Sequence, residues 1–112
     1  MAYDPDRGDI VLIDLSPLAG TGMRGEHWAI VLSERDFSVA TGWVVVCPIT
    51  TKIKGSPFEV QIPRGLRVHG CFVASELRTM DYRVRRARFM EKAPASLVQH
   101  VQAIACATIG CA

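Results

Sequence analysis

Residues 28–50 read WAIVLSERDFSVATGWVVVCPIT, and the make-up of this stretch decides the fold. Its two apolar runs, 28–33 and 43–50, are dominated by Ala, Ile, Val and Leu. Each is far shorter than the ~20 residues that span a bilayer and has the length and β-branched content of a buried strand. Between them RDFSVATG (35–42) is a connector of small and polar residues that returns the chain. Two neighbouring hydrophobic strands joined in this way imply the centre of a sheet.

Working outward, DIVLIDLS (9–16) is a strand closed by Pro17 and Gly20. TKIKGSP (51–57) is a basic turn, and FEVQI (58–62) alternates apolar and polar residues as a strand with one wet face does. PRGLRVHG (63–70) is a turn or bulge, CFVASELRTM (71–80) opens as a strand, and DYRVRRARF (81–89) carries β-branched or aromatic residues at intervals. The tail changes period: Leu97, Val101, Ile104 and Thr108 recur at helical spacing, Ala93-Pro94 suits a helix start and Gly110 its stop. The expectation is a mostly β (α+β) chain of five or more antiparallel strands and one C-terminal helix, a single domain over 1–112. Strands do not alternate with helices, so a doubly wound parallel sheet is excluded.

A chain of 112 residues, 49% hydrophobic and 21% charged, can bury a real core and still carries an apolar surplus, which points to self-association. The N-terminus MAYDPDRGDI lacks the basic-then-apolar layout of a signal peptide, so a cytoplasmic location with no membrane partner is expected. The four cysteines form no Cys-x-x-Cys pair, which favours free buried thiols over disulfides or zinc. His27, His69 and His100 lack the paired spacing of a zinc site. Net charge is only +2, yet RVRRARF gathers Arg83, Arg85, Arg86 and Arg88. Such a cluster fits an anionic partner, and equally a solvated strand face or half of an interface with an acidic protein.

The chemistry-bearing segment is GTGMRGEHWAIVLS (20–33), where Arg24, Glu26 and His27 adjoin a rigid strand. No Lys-Ser or Lys-Thr follows its glycines, so it is no phosphate-cradling loop. Cleavage of an RNA phosphodiester needs a base for the 2′-hydroxyl, positive charge or donors for the phosphorane, and an acid for the leaving 5′-oxygen. Thr21, Arg24, Glu26, His27, Thr50, Lys52, Glu76 and Arg78 supply those chemical types, provided that the fold brings them together. The plainer alternative is an ordinary solvated loop.

Taken in order, RGDIVLIDLSPLAGTGMRGEHWAIVLS, VVVCPITTKIKGSPFEV, VASELRTMD and the closing amphipathic helix resemble the MazF/PemK (ChpB-like) toxins of bacterial toxin–antitoxin modules over nearly the whole chain. The resemblance implies an SH3-like or CcdB-like antiparallel sheet or small barrel with a C-terminal helix, assembled as a homodimer. It implies a sequence-specific, metal-independent endoribonuclease without cofactors, which cuts single-stranded RNA and is silenced by an antitoxin. By position, Thr21 matches a hydroxyl residue of the family's active-site loop and Thr50 its catalytic Thr. Ser75, Glu76 and Arg78 fall in the substrate-contacting strand, while Arg83 to Arg88, Arg85 and Arg86 among them, lie near the RNA groove or dimer seam.

The chain departs from the family pattern where Glu is replaced by Gly22 and an Arg-Pro pair by His27-Trp28. Arg is the family's central catalytic residue. The expectation is therefore a redistributed site, in which His27 transfers the proton, Arg24 supplies charge and Glu26 replaces the carboxylate. Two alternatives stand beside it: an inactive RNA- or antitoxin-binding paralogue, and a non-enzymatic CcdB-like gyrase poison. The last is disfavoured because the chain ends in ATIGCA, with no aromatic tip.

Overall fold

The computed structural model describes residues 2–16 and 25–111. Among these, the element order is β1 (Asp9–Asp14), β2 (Glu26–Val31), α1 (Arg35–Thr41), β3 (Trp43–Thr50), β4 (Glu59–Gln61), β5 (Cys71–Val73), β6 (Arg78–Asp81), β7 (Arg88–Lys92) and α2 (Ala95–Ile109). All strand pairings are antiparallel, along the path β4-β5-β3-β2-β1-β7. β3 is the pivot. One of its edges carries β2, and the other carries β6 along Trp43–Val46 and then β5 at Ile49 and Thr50. The mostly β architecture with a C-terminal helix is the expected one.

The continuous apolar runs have a physical cause: the central strands are buried on both faces. Ile10, Ile30, Cys47 and Ile49 join one core with Phe72 of β5 and with Val98, Val101 and Ala105 of α2. Val11, Ile13, Ala29, Val31, Val44 and Val46 form a second core, closed by Met80 and Tyr82. Tyr82 has its hydroxyl on Asp4 Oδ1 at 2.7 Å, which satisfies the polar tip of a buried ring.

The connector 35–42 is not wholly irregular. It forms the short helix α1, whose first turn is held from outside, Arg35 N donating to Asp6 Oδ1 at 3.0 Å. Gly42 ends it with φ 78°, its N–H on the Ser38 carbonyl. The segment 81–89 also differs from expectation. Residues 82–87 are a turn between β6 and β7, with Asp81 Oδ1 accepting from the backbone N–H of Arg83 and Val84 at 3.1 Å each. The arginine cluster therefore sits largely on a turn, not along a strand face.

In α2 the buried positions are Val98, Val101 and Ala105, flanked by half-buried Leu97 and Ile104. Thr108 lies on the outer side, its hydroxyl donating to the Ile104 carbonyl at 3.1 Å. Gly110 stops the helix with φ 80°, and Cys111 N–H reaches back to the Cys106 carbonyl at 2.9 Å. The cysteines are all free, but only Cys47 and Cys71 are buried; Cys106 is half-buried and Cys111 exposed.

Candidate active site

β2 begins at its solvent end with Glu26, His27 and Trp28, and β3 finishes beside it with Ile49 and Thr50. The paired register Ala29–Pro48 belongs to an antiparallel ladder. Continuing that register by two residues brings Thr50 level with His27. A cavity of about 420 Å³ opens there, lined by Glu26, His27, Trp28 and Thr50. Thr51, Lys52, Val68 and His69 also line it.

A second cavity, about 300 Å³, shares Thr50 and Lys52 with the first and is bordered by Lys54, Glu59, Ser75 and Glu76. The two hollows share Thr50 and Lys52, which form the ridge between them. Thr50 Oγ1 accepts the Lys52 N–H at 3.1 Å, so its own proton remains available to donate. Gly70 fixes the ridge from below. A Cβ on it would lie 2.1 Å from the Thr50 carbonyl oxygen, and its φ of +110° is a glycine conformation.

Glu26 is held across the cavity mouth by Arg88 of β7, with the Arg88 Nη2–Glu26 Oε1 distance 3.2 Å and Nε–Oε2 3.3 Å. Both partners are exposed, so this pair orients the carboxylate while adding little stability. Trp28 carries the Arg67 guanidinium 5.9 Å from its ring centroid, tying the 63–70 loop to β2. Beneath the second hollow, burial, assisted by the Glu76 carboxylate, pushes the Cys47 thiol up to about 12. It stays a protonated core side chain and offers no nucleophile.

The stem of the 17–24 segment is built next to this cavity. Leu15 N donates to the Gly25 carbonyl at 3.1 Å, and Gly25 N to Ser16 Oγ at 2.8 Å. Asp14 accepts from the Ser16 hydroxyl and backbone N–H, which, against some desolvation and with help from Arg85 and Arg86, holds its carboxyl below the usual range. Arg85 Nη1 donates to the carbonyls of Asp14, at 3.3 Å, and of Ser16.

The structure brings together His27, Glu26, Thr50 and Lys52, with Ser75 and Glu76 in the adjoining hollow. Thr21 and Arg24 lie outside the described residues. Arg78 stands on β6 opposite Val46 and reaches Glu76 Oε1 at 3.6 Å. Arg85 and Arg86 are on the 82–87 turn, away from both cavity linings, Arg86 with a φ of 56°. The sequence reading did not include Trp28 or His69 in the catalytic set. His69 was visible only as a candidate metal ligand, and what it adjoins is set by a turn and a strand pairing.

The profile of PemK-like, MazF-like toxins of type II toxin–antitoxin systems matches residues 6–108. The chain belongs to this family. The endoribonuclease toxin MazF of Escherichia coli K12 is 35% identical over 85 residues, 76% of each chain. MazF of Deinococcus radiodurans superposes with a TM-score of 0.90 at 37% identity, covering 97% of this chain and 99% of that one. The D. radiodurans MazE–MazF complex gives 0.86 at 35% identity, covering 99% and 100%.

Proposed function

We propose that this chain is the toxin of a toxin–antitoxin module and acts in the cytoplasm as an endoribonuclease on single-stranded RNA, as a homodimer restrained by a MazE-like antitoxin. The observation that carries the catalytic reading is the convergence of His27, Thr50 and Lys52 in one cavity, with a second cavity adjoining it at Thr50 and Lys52. His27 replaces the family arginine as the proton-transferring group. It takes the 2′-hydroxyl proton, Thr50 donates a hydrogen bond to the phosphoryl oxygen, and Lys52 balances the charge developing there. Arg24 adds a second positive charge, and Glu26, oriented by Arg88, supplies the carboxylate of the site.

Ser75, Glu76 and Arg78 border the RNA path beyond the ridge, and Thr21 and Arg86 contribute further contacts to the RNA. Arg85 acts at one remove, by anchoring the loop stem through the Asp14 and Ser16 carbonyls. The family relatives are endoribonucleases by name, which favours this reading over a gyrase poison. Incubation of purified protein with a long RNA in EDTA, followed by mapping of the new 5′ ends, tests it. Discrete ends that vanish in His27→Gln and Thr50→Val are expected; intact RNA with the wild-type protein would refute the nuclease, and undiminished cutting by His27→Gln would refute the role of His27.

A further inference from the structure

His69 is itself exposed, yet the backbone on either side of it is anchored at the cavity. The residue after it, Gly70, packs directly on the Thr50 carbonyl, and its own carbonyl accepts Ile62 N–H at 2.9 Å. The next residue, Cys71, pairs with Thr50 in the β3–β5 ladder. On the other side Val68 is buried in the core, and Arg67 is fixed three ways: over the Trp28 ring, by its N–H on Glu91 Oε1 at 2.7 Å, and by Nη1 on the Met90 carbonyl at 3.2 Å. An anchored backbone thus brings a second histidine, His69 of the 63–70 loop, into the lining of the hollow of about 420 Å³ that His27 of β2 and Thr50 also line.

Phosphodiester cleavage needs two proton transfers, and the other groups here suit only part of the task. Lys52 is a source of charge, and the Glu26 carboxylate is engaged by Arg88. We propose that His69 is the general acid of the reaction, protonating the 5′-oxygen as it leaves, while His27 accepts the proton of the 2′-hydroxyl; this rests on the nuclease reading above. In that step the O2′–H bond breaks, O2′–P forms and P–O5′ breaks. The products are a 2′,3′-cyclic phosphate and a 5′-hydroxyl, with one proton moved from His69 to the leaving oxygen and one gained by His27. Solvent exchange resets the pair. The charged groups facing His69 are Glu26 and His27 from β2, Lys52 after β3 and Arg67 in its own loop, with Arg88 of β7 behind Glu26 and Glu91 behind Arg67.

The test compares two short RNAs carrying the mapped cleavage site, one natural and one with a 5′-bridging sulfur, whose thiolate leaves without protonation. His69→Gln should cut the natural RNA roughly 10²- to 10⁴-fold more slowly than wild type, the range for loss of a general acid. It should cut the sulfur-bridged RNA at the wild-type rate. His27→Gln should be slow on both. The alkaline limb of the pH–rate profile, where an acid loses its proton, should disappear in His69→Gln alone. Because the decisive quantity is the ratio of two substrates on one variant, a loss of folded protein does not mimic it. Equal slowing on both RNAs, or no slowing on either, overturns the proposal for His69 and leaves the nuclease standing. Failure of the wild-type protein to cut either RNA overturns both.

Discussion

Gly70→Ala is the most demanding test of how the site is held. The added methyl would sit 2.1 Å from the Thr50 carbonyl oxygen, 2.8 Å from its carbon and 3.1 Å from Thr51 Cα, all backbone atoms that cannot swing aside. The φ of +110° adds conformational strain. Strain of this kind costs about 1–3 kcal/mol and an overpacked contact a further 1–3, so a loss of roughly 2–6 kcal/mol is expected. For a domain of this size that lowers the melting temperature by roughly 10–25 °C. Gly42→Ala is the control: its φ is +78° but nothing lies within 4 Å of the new methyl. Conformation alone costs about 1–2 kcal/mol there, roughly 5–10 °C. The second readout is cleavage. Relief of the clash moves the Thr50 carbonyl by about 1 Å, and a displacement of that size at a catalytic group costs on the order of 10²-fold in rate. Melting by circular dichroism and single-turnover cleavage well below each midpoint separate the two effects. If Gly70→Ala melts no lower than Gly42→Ala and cuts RNA normally, the ridge is not built on that contact.

Other outcomes follow from the same geometry. His27→Gln should reduce cleavage roughly 10²- to 10⁴-fold with little change in RNA affinity, checked by pairing rate measurements with a binding titration on uncut substrate analogue. Arg78→Ala should lower the salt-dependence slope of RNA binding by ~0.7 for a lost phosphate contact. Arg85→Ala should instead leave that slope unchanged and lower the melting temperature, because it releases the Asp14 and Ser16 carbonyls. Asp14 has a depressed carboxyl, so its contribution to stability is present above the ordinary carboxylate pKa, ~3.9, and is lost as pH falls through its lower folded value. Asp14→Asn should therefore flatten the acid limb of a stability–pH curve while leaving its neutral region unaffected by titration. Light scattering should report twice the 12.3 kDa chain mass; a monomer alone would refute the homodimer.

The sheet was legible because its signals are local. The runs 28–33 and 43–50 are continuous in apolar residues since both faces of β2 and β3 are covered, and Gly110 marks the end of α2 with its own backbone preference. α1 escaped notice because it is short and its first free N–H is capped by Asp6, 29 residues earlier in the chain. The turn at 82–87 escaped because Val84 and Ala87 interrupt the arginines as strand residues would. What makes it a turn is Asp81, whose side chain gathers two backbone N–H groups. In the site, the chemical types at His27, Thr50 and Lys52 were readable but their adjacency was not, since it depends on how β2 and β3 pair. His69 was less accessible still: nothing near it in sequence announces an acid.

On the proposed reading His27 stands where the family carries an arginine, and that exchange is chemically asymmetric. A guanidinium keeps its proton at any usable pH and serves chiefly as charge; an imidazole changes charge between about pH 5 and 8 and serves as a base only while neutral. Substituting one for the other removes fixed positive charge and adds a proton acceptor. The chain compensates for the charge with Lys52 on the ridge and Lys54 in the next hollow, while Arg88 holds the Glu26 carboxylate at the mouth. A base that becomes cationic on accepting a proton then needs a separate donor for the leaving oxygen, because the same imidazole cannot serve both ends of an in-line displacement at once. His69 lines the same hollow. The single variant His27→Arg separates the alternatives. If the imidazoles are a working pair, it should cut far more slowly than wild type and lose the acid limb of the pH–rate profile, where a base is protonated. If residue 27 serves only as charge, it should match or exceed the wild-type rate.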